Sequence, residues 1–421
     1  MKSIIKESFN SIIMEQILTA PSKKIQYLRH IEYVLPAENF HSQKTNRIEK
    51  FLVMTAKQIS LFYFACVIIK KPSLIIKTFR ELKKLHKQTW GTQAHKMYKV
   101  DGRYYNNLYN PGWPSSSYNS FLKDELRRHA FPLDYTGKLS LVFFAITRKC
   151  PLRCEHCFEW DNLNQKETFT KDELIKIVDL YQQQGALQFH FSGGEPMVRI
   201  HDLVEVIRYA KDKSECFVLT SGFNLTDVNA KRLKEAGCKG VVVSIDHYIP
   251  ELHNGFRHHT NIFQQATEGV RAALHAGLVV TISVCVTKAF LDGGHLMPYM
   301  KFAKELGVHF VQLLEPKAIG HYNGKDVLLE EAHVQQLEMF FKTINQNKKF
   351  EDYPFVMYHG FHQRRVGCYA GSRSIYIDSA GDVNACPFCH TKSYNVGNVI
   401  RAKNKTAPPK ENLCPRYGKI A

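Results

Sequence analysis

The strongest constraint on the fold is a regular alternation of short apolar runs and amphipathic stretches between residues 139 and 347. Runs rich in β-branched and aromatic residues predict strands, and the segments between them, with apolar residues at helical spacing, predict helices. The predicted strands cover 139–146, 187–191, 216–220, 241–245, 279–286 and 310–314. Helices are predicted near 171–184, 202–212, 226–236, 262–276, 296–306 and 330–347.

Six strand–helix units in series require a parallel sheet, because right-handed crossovers pack each helix back onto the sheet. Six is two units fewer than a full eightfold barrel, so we expect an α/β fold built on a partial (β/α)6 TIM-like barrel. In such sheets the functional residues collect at the carboxyl ends of the strands. The chemically suggestive residues all follow predicted strands: a cysteine-rich segment from Thr147, then 192–195, 220–222, Ser244, Asp246 and Glu315.

The chain divides into three regions. We expect a basic helical region with a connector at 1–137, the partial barrel at 138–350, and a small cysteine-rich β-hairpin domain at 351–421. Within the first region, residues 45–87 predict helix, interrupted at Pro72.

Two further segments lie on either side of the barrel. Residues 90–137 are rich in Tyr, Asn, Pro, Gly and Ser, which predicts an irregular connector with a few aromatic anchors. Beyond the barrel, residues 374–378 and 382–385 predict two strands, and the turn residues 379–381 join them into a β-hairpin.

Basic charge is concentrated in the first third of the chain. The formal net charge is +18, and residues 1–138 hold 23 Lys and Arg against 10 Asp and Glu. The apolar run from Ile59 to Ile69 is too short to span a bilayer, and a longer run that begins at Phe51 includes Lys57. An interfacial helix, a buried helix, a weak membrane anchor and a merely well-solvated surface all remain open. We expect no nucleic-acid partner, because no module combines aromatic with basic residues.

The chain has eleven cysteines, and the clustered ones are predicted to be ligands or nucleophiles rather than disulfides. Residues 1–14 lack the apolar core of a secretory signal, so we expect a cytoplasmic, reducing location, with peripheral membrane contact as an alternative. Four cysteines stand singly in apolar surroundings and are predicted to be small buried core residues: Cys66, Cys216, Cys238 and Cys285.

Three cysteines form a C-x3-C-x2-C motif directly after the first predicted strand: Cys150, Cys154 and Cys157. Three thiolates in one short loop can wrap a four-iron four-sulfur cubane and leave one iron open for a small molecule. The alternative is a zinc knuckle with His156 as fourth ligand, but zinc sites usually draw on two spaced pairs of ligands.

At this point the sequence resembles the radical S-adenosylmethionine superfamily. Residues 147–157, Thr-Arg-Lys-Cys-Pro-Leu-Arg-Cys-Glu-His-Cys, match the cluster loop of that family, with His156 as the aromatic-type residue before the last cysteine. Residues 192–196, Ser-Gly-Gly-Glu-Pro, match its second motif, and 244–246, Ser-Ile-Asp, resemble its ribose-contacting strand end. The resemblance covers about residues 139–315 in the expected order.

The resemblance also implies which residues contact the cofactor. Ser192, Gly193 and Gly194 would let the backbone approach the methionine end of S-adenosylmethionine, and Glu195 would receive its ammonium group or shape the loop. Three later residues complete the implied contacts: Ser244 and Asp246 with the ribose hydroxyls, and Arg257 with the carboxylate. Helix capping for the strand-end pair and a surface position for the arginine are the alternatives.

The tail holds four more cysteines, Cys368, Cys386, Cys389 and Cys414. With the intervening hairpin they resemble the auxiliary-cluster extensions called SPASM and twitch domains. Four thiols are too few for the two clusters of a full SPASM domain, so the resemblance implies one auxiliary 4Fe-4S cluster. Structural zinc on the same four thiolates is the alternative.

The resemblance implies reductive cleavage of S-adenosylmethionine to a 5′-deoxyadenosyl radical that abstracts hydrogen from a substrate C–H bond. We expect a peptide or protein side chain as substrate, and flavodoxin or ferredoxin as reductant. Modification or dehydrogenation of a membrane lipid or small molecule remains open, as does a non-catalytic iron–sulfur electron carrier or sensor. Five other residues are candidates for lining the site, with buried structural roles as the alternative: His190, Glu315, His321, Tyr322 and Asp378.

Overall fold

The computed structural model describes residues 42–90, 96–133, 135, 137–390 and 392–401. Its first region contains three helices and a small antiparallel sheet. The elements are, in chain order, β1 (Ser42–Lys44), α1 (Arg47–Ile69), α2 (Pro72–Trp90), β2 (Tyr98–Val100), β3 (Arg103–Tyr105) and α3 (Ser116–Ala130). The helical prediction for 45–87 is confirmed, and the break falls between Ile69 and Pro72, as the proline requires.

The prediction of an irregular connector at 90–137 is wrong for much of that segment. The hairpin β2–β3 and the helix α3 lie within it. Ser115 caps α3 by accepting a hydrogen bond from the backbone N–H of Tyr118, and Leu122 and Leu126 are buried. The many polar residues around these apolar positions concealed the helical spacing.

The main sheet has ten strands in the order β10-β9-β8-β7-β6-β5-β4-β11-β12-β13. Every pair from β10 to β11 is parallel, and β12 and β13 add antiparallel at one edge. The strands are β4 (Leu141–Ala145), β5 (Gln188–Ser192), β6 (Glu215–Thr220), β7 (Cys238–Ser244), β8 (Val279–Cys285), β9 (Phe310–Leu314), β10 (Phe355–Tyr358), β11 (Ser374–Ile377), β12 (Asp382–Asn384) and β13 (Tyr394–Asn395).

Helices connect the parallel strands and bury apolar faces against them. They are α4 (Lys171–Gln183), α5 (Ile200–Ala210), α6 (Asp227–Ala236), α7 (Pro250–Arg257), α8 (Ile262–His275), α9 (Lys288–Asp292), α10 (Leu296–Glu305), α11 (Glu331–Gln346), α12 (His359–Val366) and α13 (Val396–Arg401). Thr170 starts α4 with a capping box to Glu173, which fixes where that helix begins. The predicted α/β fold with a parallel partial barrel is confirmed.

Four strands of the main sheet, β10 to β13, lie outside the predicted six-unit pattern, and two of them pair in parallel. β10 extends the sheet past residue 350 by pairing in parallel with β9, and β11 pairs in parallel with β4. The β11–β12 hairpin itself lies where the sequence predicts it. The sheet therefore continues from the barrel into the tail.

The hairpin β2–β3 closes the amino-terminal end of the barrel. Tyr98, Tyr105 and Leu108 pack with inward-facing strand residues such as Phe217 and Phe310. The first region thus fills the barrel from below, which leaves the carboxyl ends of the strands as the open rim.

The four isolated cysteines have two different environments. Cys216, Cys238 and Cys285 are buried, as predicted. The same prediction is wrong for Cys66, which is exposed on α1. It fails because Cys66 lies on the exposed side of α1 with Tyr63 and Val67, whereas its neighbour Ala65 is buried, so apolar surroundings in the sequence did not mean burial.

Candidate active site

The cysteine loop leaves the carboxyl end of β4 and is held by its own neighbours. Asn164 accepts a hydrogen bond from the backbone N–H of Cys150 at 3.0 Å and donates one to its carbonyl at 3.1 Å. The backbone N–H of His321 donates to the carbonyl of Cys157 at 2.9 Å. A ring nitrogen of His321 also lies 3.0 Å from the carbonyl oxygen of Cys154. Protein contacts therefore fix the backbone beside each cysteine.

The three cysteines Cys150, Cys154 and Cys157 pack into one small cluster with Leu152 and Ile262. Burial raises the pKa of the Cys150 thiol to about 12 and also raises the pKa values of the other two thiols. In the described part of the chain, no three His, Cys, Asp or Glu side chains are spaced to hold a single metal ion. Three thiols in one short loop are the kind of ligand set that can bind separate irons of a cubane.

A buried arginine lies beside this cluster. The Nε and Nη2 atoms of Arg257, at the end of α7, each lie 2.7 Å from Oδ2 of Asp246, which follows β7. Nη1 of the same guanidinium lies 3.7 Å from the sulfur of Cys154. Arg257 is 6% exposed, which excludes the alternative of a surface arginine.

Asp246 is held from two further sides. Its Oδ1 accepts from the backbone N–H of Cys285 at 3.0 Å, and its own N–H donates to Nδ1 of His253 at 3.0 Å. Burial favours protonation of the carboxyl, but the Arg257 guanidinium, helped by smaller contributions, outweighs burial and lowers the pKa of Asp246 to about 2. The charged pair therefore links the ends of β7 and β8 to the cysteine loop.

Gly193 and Gly194, after β5, lie directly against the cysteine loop. A Cβ on Gly194 would lie 2.3 Å from the carbonyl oxygen of Lys149, and one on Gly193 would lie 2.5 Å from that of Thr147. Gly193 also has a φ of +139°, which other residues rarely adopt. The N–H groups of Gly194 and Glu195 donate to those two carbonyls at 2.8 Å each. The glycines thus allow two loops to touch through their backbones.

The Glu195 carboxylate accepts hydrogen bonds from inside the protein on both of its oxygens. One oxygen accepts from Thr220 Oγ1 at 2.6 Å and from the N–H of Met197 at 3.0 Å. The other accepts from the N–H and the hydroxyl of Ser221. Burial raises the pKa of Glu195, and these four donors oppose that rise. The side chain therefore joins the ends of β5 and β6.

The other residues that the family resemblance implies as cofactor contacts, His156, Ser192 and Ser244, lie at the same rim. His156 stacks on Phe256 with ring centroids 4.9 Å apart, and its Nδ1 is buried without a partner among the described residues. Burial lowers the pKa of His156 to about 4. Ser192 ends β5, and Ser244 ends β7 within 3.4 Å of Ser283 Oγ.

In the tail, the structure brings Cys368 and Cys386 together in a small buried cluster with Ala370 and Ala385. The N–H of Cys389 donates to the carbonyl of Cys386 at 3.1 Å, so these two cysteines share one turn. The fourth predicted ligand, Cys414, lies outside the described residues.

The tail also contacts the cysteine loop directly. Glu159, two residues after Cys157, is buried and accepts hydrogen bonds from the hydroxyls of Tyr376 and Ser379. The ring of Phe158 lies 5.6 Å from that of Phe388, which is between Cys386 and Cys389 in the sequence. The two cysteine segments are therefore joined by packing and by a buried carboxylate.

Two of the five further candidates have mainly structural partners. Glu315 contacts Lys317 and Arg364 at 2.8 Å each, and His321 stacks on Trp160 at 3.9 Å. Two others, Tyr322 and Asp378, are buried.

The barrel interior below the rim contains residues that sequence reasoning largely missed. Tyr109 enters from the first region, stacks on His190 at 5.6 Å and meets His359 edge-on at 4.5 Å. Gln312 donates to the Tyr109 hydroxyl at 2.5 Å, and neither ring nitrogen of His190 has a partner among the described residues. His190 was one of the five further candidates for lining the site, and alternation along β5 is consistent with its inward position. No local signal marks Tyr109, because its position depends on a distant strand.

Comparisons with known proteins agree with this architecture. Residues 144–293 match the family model described as Radical SAM superfamily. The chain is 27% identical over 280 residues to the AdoMet-dependent heme synthase of Oleidesulfovibrio alaskensis, covering 61% of this chain and 71% of the relative. It is 23% identical over 283 residues to the GTP 3′,8-cyclase of Nautilia profundicola, covering 64% and 87%. Among solved structures, Streptococcus suis SuiB bound to precursor peptide SuiA has a similar fold, with a TM-score of 0.53, 13% identity and 82% coverage of each chain.

Proposed function

We propose that the chain is a radical S-adenosylmethionine superfamily enzyme, since residues 144–293 match that family model, and that it abstracts hydrogen from a C–H bond of a peptide or protein side chain. When bound, a 4Fe-4S cluster and S-adenosylmethionine would supply a 5′-deoxyadenosyl radical for that step. The observation that carries the proposal is the packing of Cys150, Cys154 and Cys157 in one cluster at the carboxyl end of β4, against Gly193 and Gly194.

The residues around the loop then have distinct roles. Cys150, Cys154 and Cys157 are the cluster ligands in this proposal, and Arg257 places a positive charge beside the Cys154 sulfur. The contacts of Glu195 with Met197, Thr220 and Ser221 favour a positioning role, in which it shapes the wall that faces the methionine end.

The remaining rim residues would bind the nucleoside part of the cofactor. His156 offers a flat ring next to Phe256, and Ser244 and Asp246, at the end of β7, are the residues we propose for the ribose hydroxyls. Ser192 and the two glycines present backbone groups at the end of β5, two strands away in the sheet.

We further propose one auxiliary 4Fe-4S cluster on Cys368, Cys386, Cys389 and Cys414. Its support is the shared environment of Cys368 and Cys386 and the turn that holds Cys389 close to Cys386. Four thiolates can equally bind structural zinc, so metal identity is the discriminating measurement.

For the reductant we propose flavodoxin or ferredoxin, and for the location the cytoplasm, with the basic first region at the membrane surface. SuiB, which is described bound to a precursor peptide and shares this fold over 82% of the chain, supports a peptide substrate. The relatives named heme synthase and GTP cyclase favour the second candidate, a small-molecule substrate.

The first experiment tests the cofactor chemistry. Anaerobically reconstituted protein is expected to bind iron and sulfide and, with dithionite and S-adenosylmethionine, to form 5′-deoxyadenosine. Cys150→Ala should abolish this formation, whereas Cys66→Ala, at an exposed cysteine of α1, should leave it unchanged. Iron binding without any 5′-deoxyadenosine would instead favour an electron carrier or sensor.

The second experiment tests the tail. Cys386→Ala is expected to lower the iron content by about four atoms per chain if a cubane is bound there. Loss of zinc with unchanged iron would overturn the auxiliary cluster but leave the barrel chemistry standing.

The third experiment addresses the substrate. Peptide and small-molecule fractions of a cell extract are added separately to the reconstituted enzyme. A peptide substrate predicts that only the peptide fraction increases 5′-deoxyadenosine formation and gains a modified mass. An increase with the small-molecule fraction alone would overturn it in favour of the second candidate.

A further inference from the structure

Helix α1 (Arg47–Ile69) is apolar on two opposite sides, but the protein covers only one. The inward side contributes Ala65 and Ile69 to a small core with Leu126 and Ala130 of α3. The outward side carries eight large exposed side chains, of which Ile48 is 75% and Phe51 69% exposed. We call these eight the α1 stripe: Ile48, Phe51, Leu52, Met54, Ile59, Phe62, Tyr63 and Val67.

The α1 stripe is unusual for this molecule. Of the 15 large apolar side chains exposed among the described residues, these eight come from one helix. A helix that is apolar all round normally lies inside a protein or in a membrane. Single exposed apolar residues need no explanation, but a continuous patch of this kind marks a contact surface.

The one strongly polar side chain in the middle of α1 points inward. Lys57 is 8% exposed, and its ammonium lies 4.9 Å from the ring centroid of Tyr118 in α3. Burial lowers the pKa of Lys57 to about 8. Burying a charge is costly. A helix whose outer face met water would therefore be expected to expose Lys57 and to bury an apolar residue of the stripe in its place.

Positive charge borders the stripe. Residues 47–90 contain ten Lys and Arg against two Glu. Seven of these cations are exposed at the end of α1 and along α2: Lys70, Lys71, Lys77, Arg80, Lys83, Lys84 and Lys87. The ring centroids of Phe62 in the stripe and Phe79 in α2 are 6.3 Å apart, so the basic helix runs beside the apolar one. Apolar side chains flanked by lysine suit the surface of an anionic bilayer.

The attachment of α1 decides how it would meet a bilayer. By length and composition α1 qualifies as a membrane span. However, β1 pairs with β2 just before the helix, Ile69 at its end packs on α3, and one side is covered along its length. A segment fixed to folded protein at both ends cannot thread through a membrane, so the helix would lie in the interface plane.

We propose that the α1 stripe and the cations of α2 form a membrane-docking surface that inserts in the plane of an anionic lipid interface. The proposal does not depend on the chemistry at the barrel rim, since it uses residues of the first region alone. The residues of this surface are different from those of the small buried core that holds α1 on the protein.

Vesicle flotation of the full-length protein tests this surface. We expect binding to vesicles of phosphatidylcholine with phosphatidylglycerol to exceed binding to phosphatidylcholine alone by roughly tenfold, and to weaken at high salt. The double variant Ile59→Glu with Phe62→Glu should lose binding to both. Its matched control is Val228→Glu on α6, a 69% exposed apolar residue outside the stripe, which should bind like the wild type.

A second pair of variants isolates the charge. Lys83→Glu with Lys84→Glu should abolish the preference for anionic lipid, and Lys231→Glu on α6, exposed but far along the chain, should not. Thermal melts confirm that each variant is folded. The proposal is overturned if the wild type binds neither vesicle, or if the stripe variant binds like the wild type. It is also overturned if sedimentation shows a dimer that only the stripe variant loses while vesicles bind neither form.

Discussion

Arg257 and Asp246 form a buried ion pair in which two guanidinium nitrogens lie 2.7 Å from a single carboxylate oxygen. Asp246 follows β7 and bonds to the end of β8. The third guanidinium nitrogen of Arg257 lies 3.7 Å from the Cys154 sulfur, so the pair connects these two strand ends to the cysteine loop. Its position makes the stability of the loop depend on residues about a hundred positions further along the chain.

Asp246→Asn should therefore destabilise the protein. The asparagine keeps the shape but leaves the Arg257 charge uncompensated in a buried site, and removing one partner of a buried pair costs roughly 3–5 kcal/mol. We expect a lower midpoint of urea unfolding for the cofactor-free variant. The control is Glu235→Gln in the exposed pair with Lys231, 3.9 Å apart, where the change should stay below about 0.5 kcal/mol. Equal midpoints for Asp246→Asn and the wild type would contradict the prediction.

Gly194→Ala should dislodge the cysteine loop. Its Cβ would lie 2.3 Å from a backbone carbonyl oxygen, so one of the two loops must move. We expect destabilisation of about 1–3 kcal/mol and less iron retained at the loop after anaerobic reconstitution. Gly255→Ala, at an exposed helical position with nothing within 4 Å, should retain iron like the wild type and be at least as stable, by up to about 1 kcal/mol. Normal iron retention in Gly194→Ala would argue against close backbone contact.

The Glu315 carboxylate predicts a defined pH dependence. Burial opposes its charge, but Lys317, then Arg364 and Tyr358, outweigh burial and lower the pKa of Glu315 to about 2. The ordinary pKa of glutamate is 4.5, so the stabilisation is complete above that pH and is lost as the pH falls towards about 2. Glu315→Gln should cost on the order of 2 kcal/mol at neutral pH, with a difference from the wild type that shrinks on acidification. A difference independent of pH would rule out this contribution.

Tyr376→Phe should loosen the tail from the cysteine loop. The variant removes a hydroxyl that donates to the buried Glu159 carboxylate, and leaving such an acceptor short of a donor costs about 1–3 kcal/mol. Faster amide exchange is expected in β11 and β12. Tyr209→Phe removes a hydroxyl that donates to Asp179 at the exposed surface and should have little effect. If both variants exchange alike, the buried contact does not anchor the tail.

The strands of the barrel could be predicted because each is a short apolar run bounded by polar residues, and the rim residues followed from the rule for parallel sheets. β10 was missed because a four-residue run carries little periodicity of its own. α3 was missed because its polar residues concealed the buried positions.

Contacts across the sequence were harder to predict than elements. Glu195 could be recognised from its motif, but its donors Thr220 and Ser221 become neighbours only when β5 pairs with β6. Tyr109 reaches the barrel interior through a segment with no signal of its own. Cys66 shows that apolar neighbours in the chain do not establish burial when a helix presents them outward.

Strand β4 carries the cysteine loop, and one of its two partners is β11, more than two hundred residues later. During synthesis β4 keeps this edge open until residues 374–377 have left the ribosome, and such distant pairings form slowly. Nascent chains that stop before β11 would keep that edge available to other molecules. Chains truncated before β11 should therefore aggregate, because the strand that carries the cysteine loop lacks its second partner.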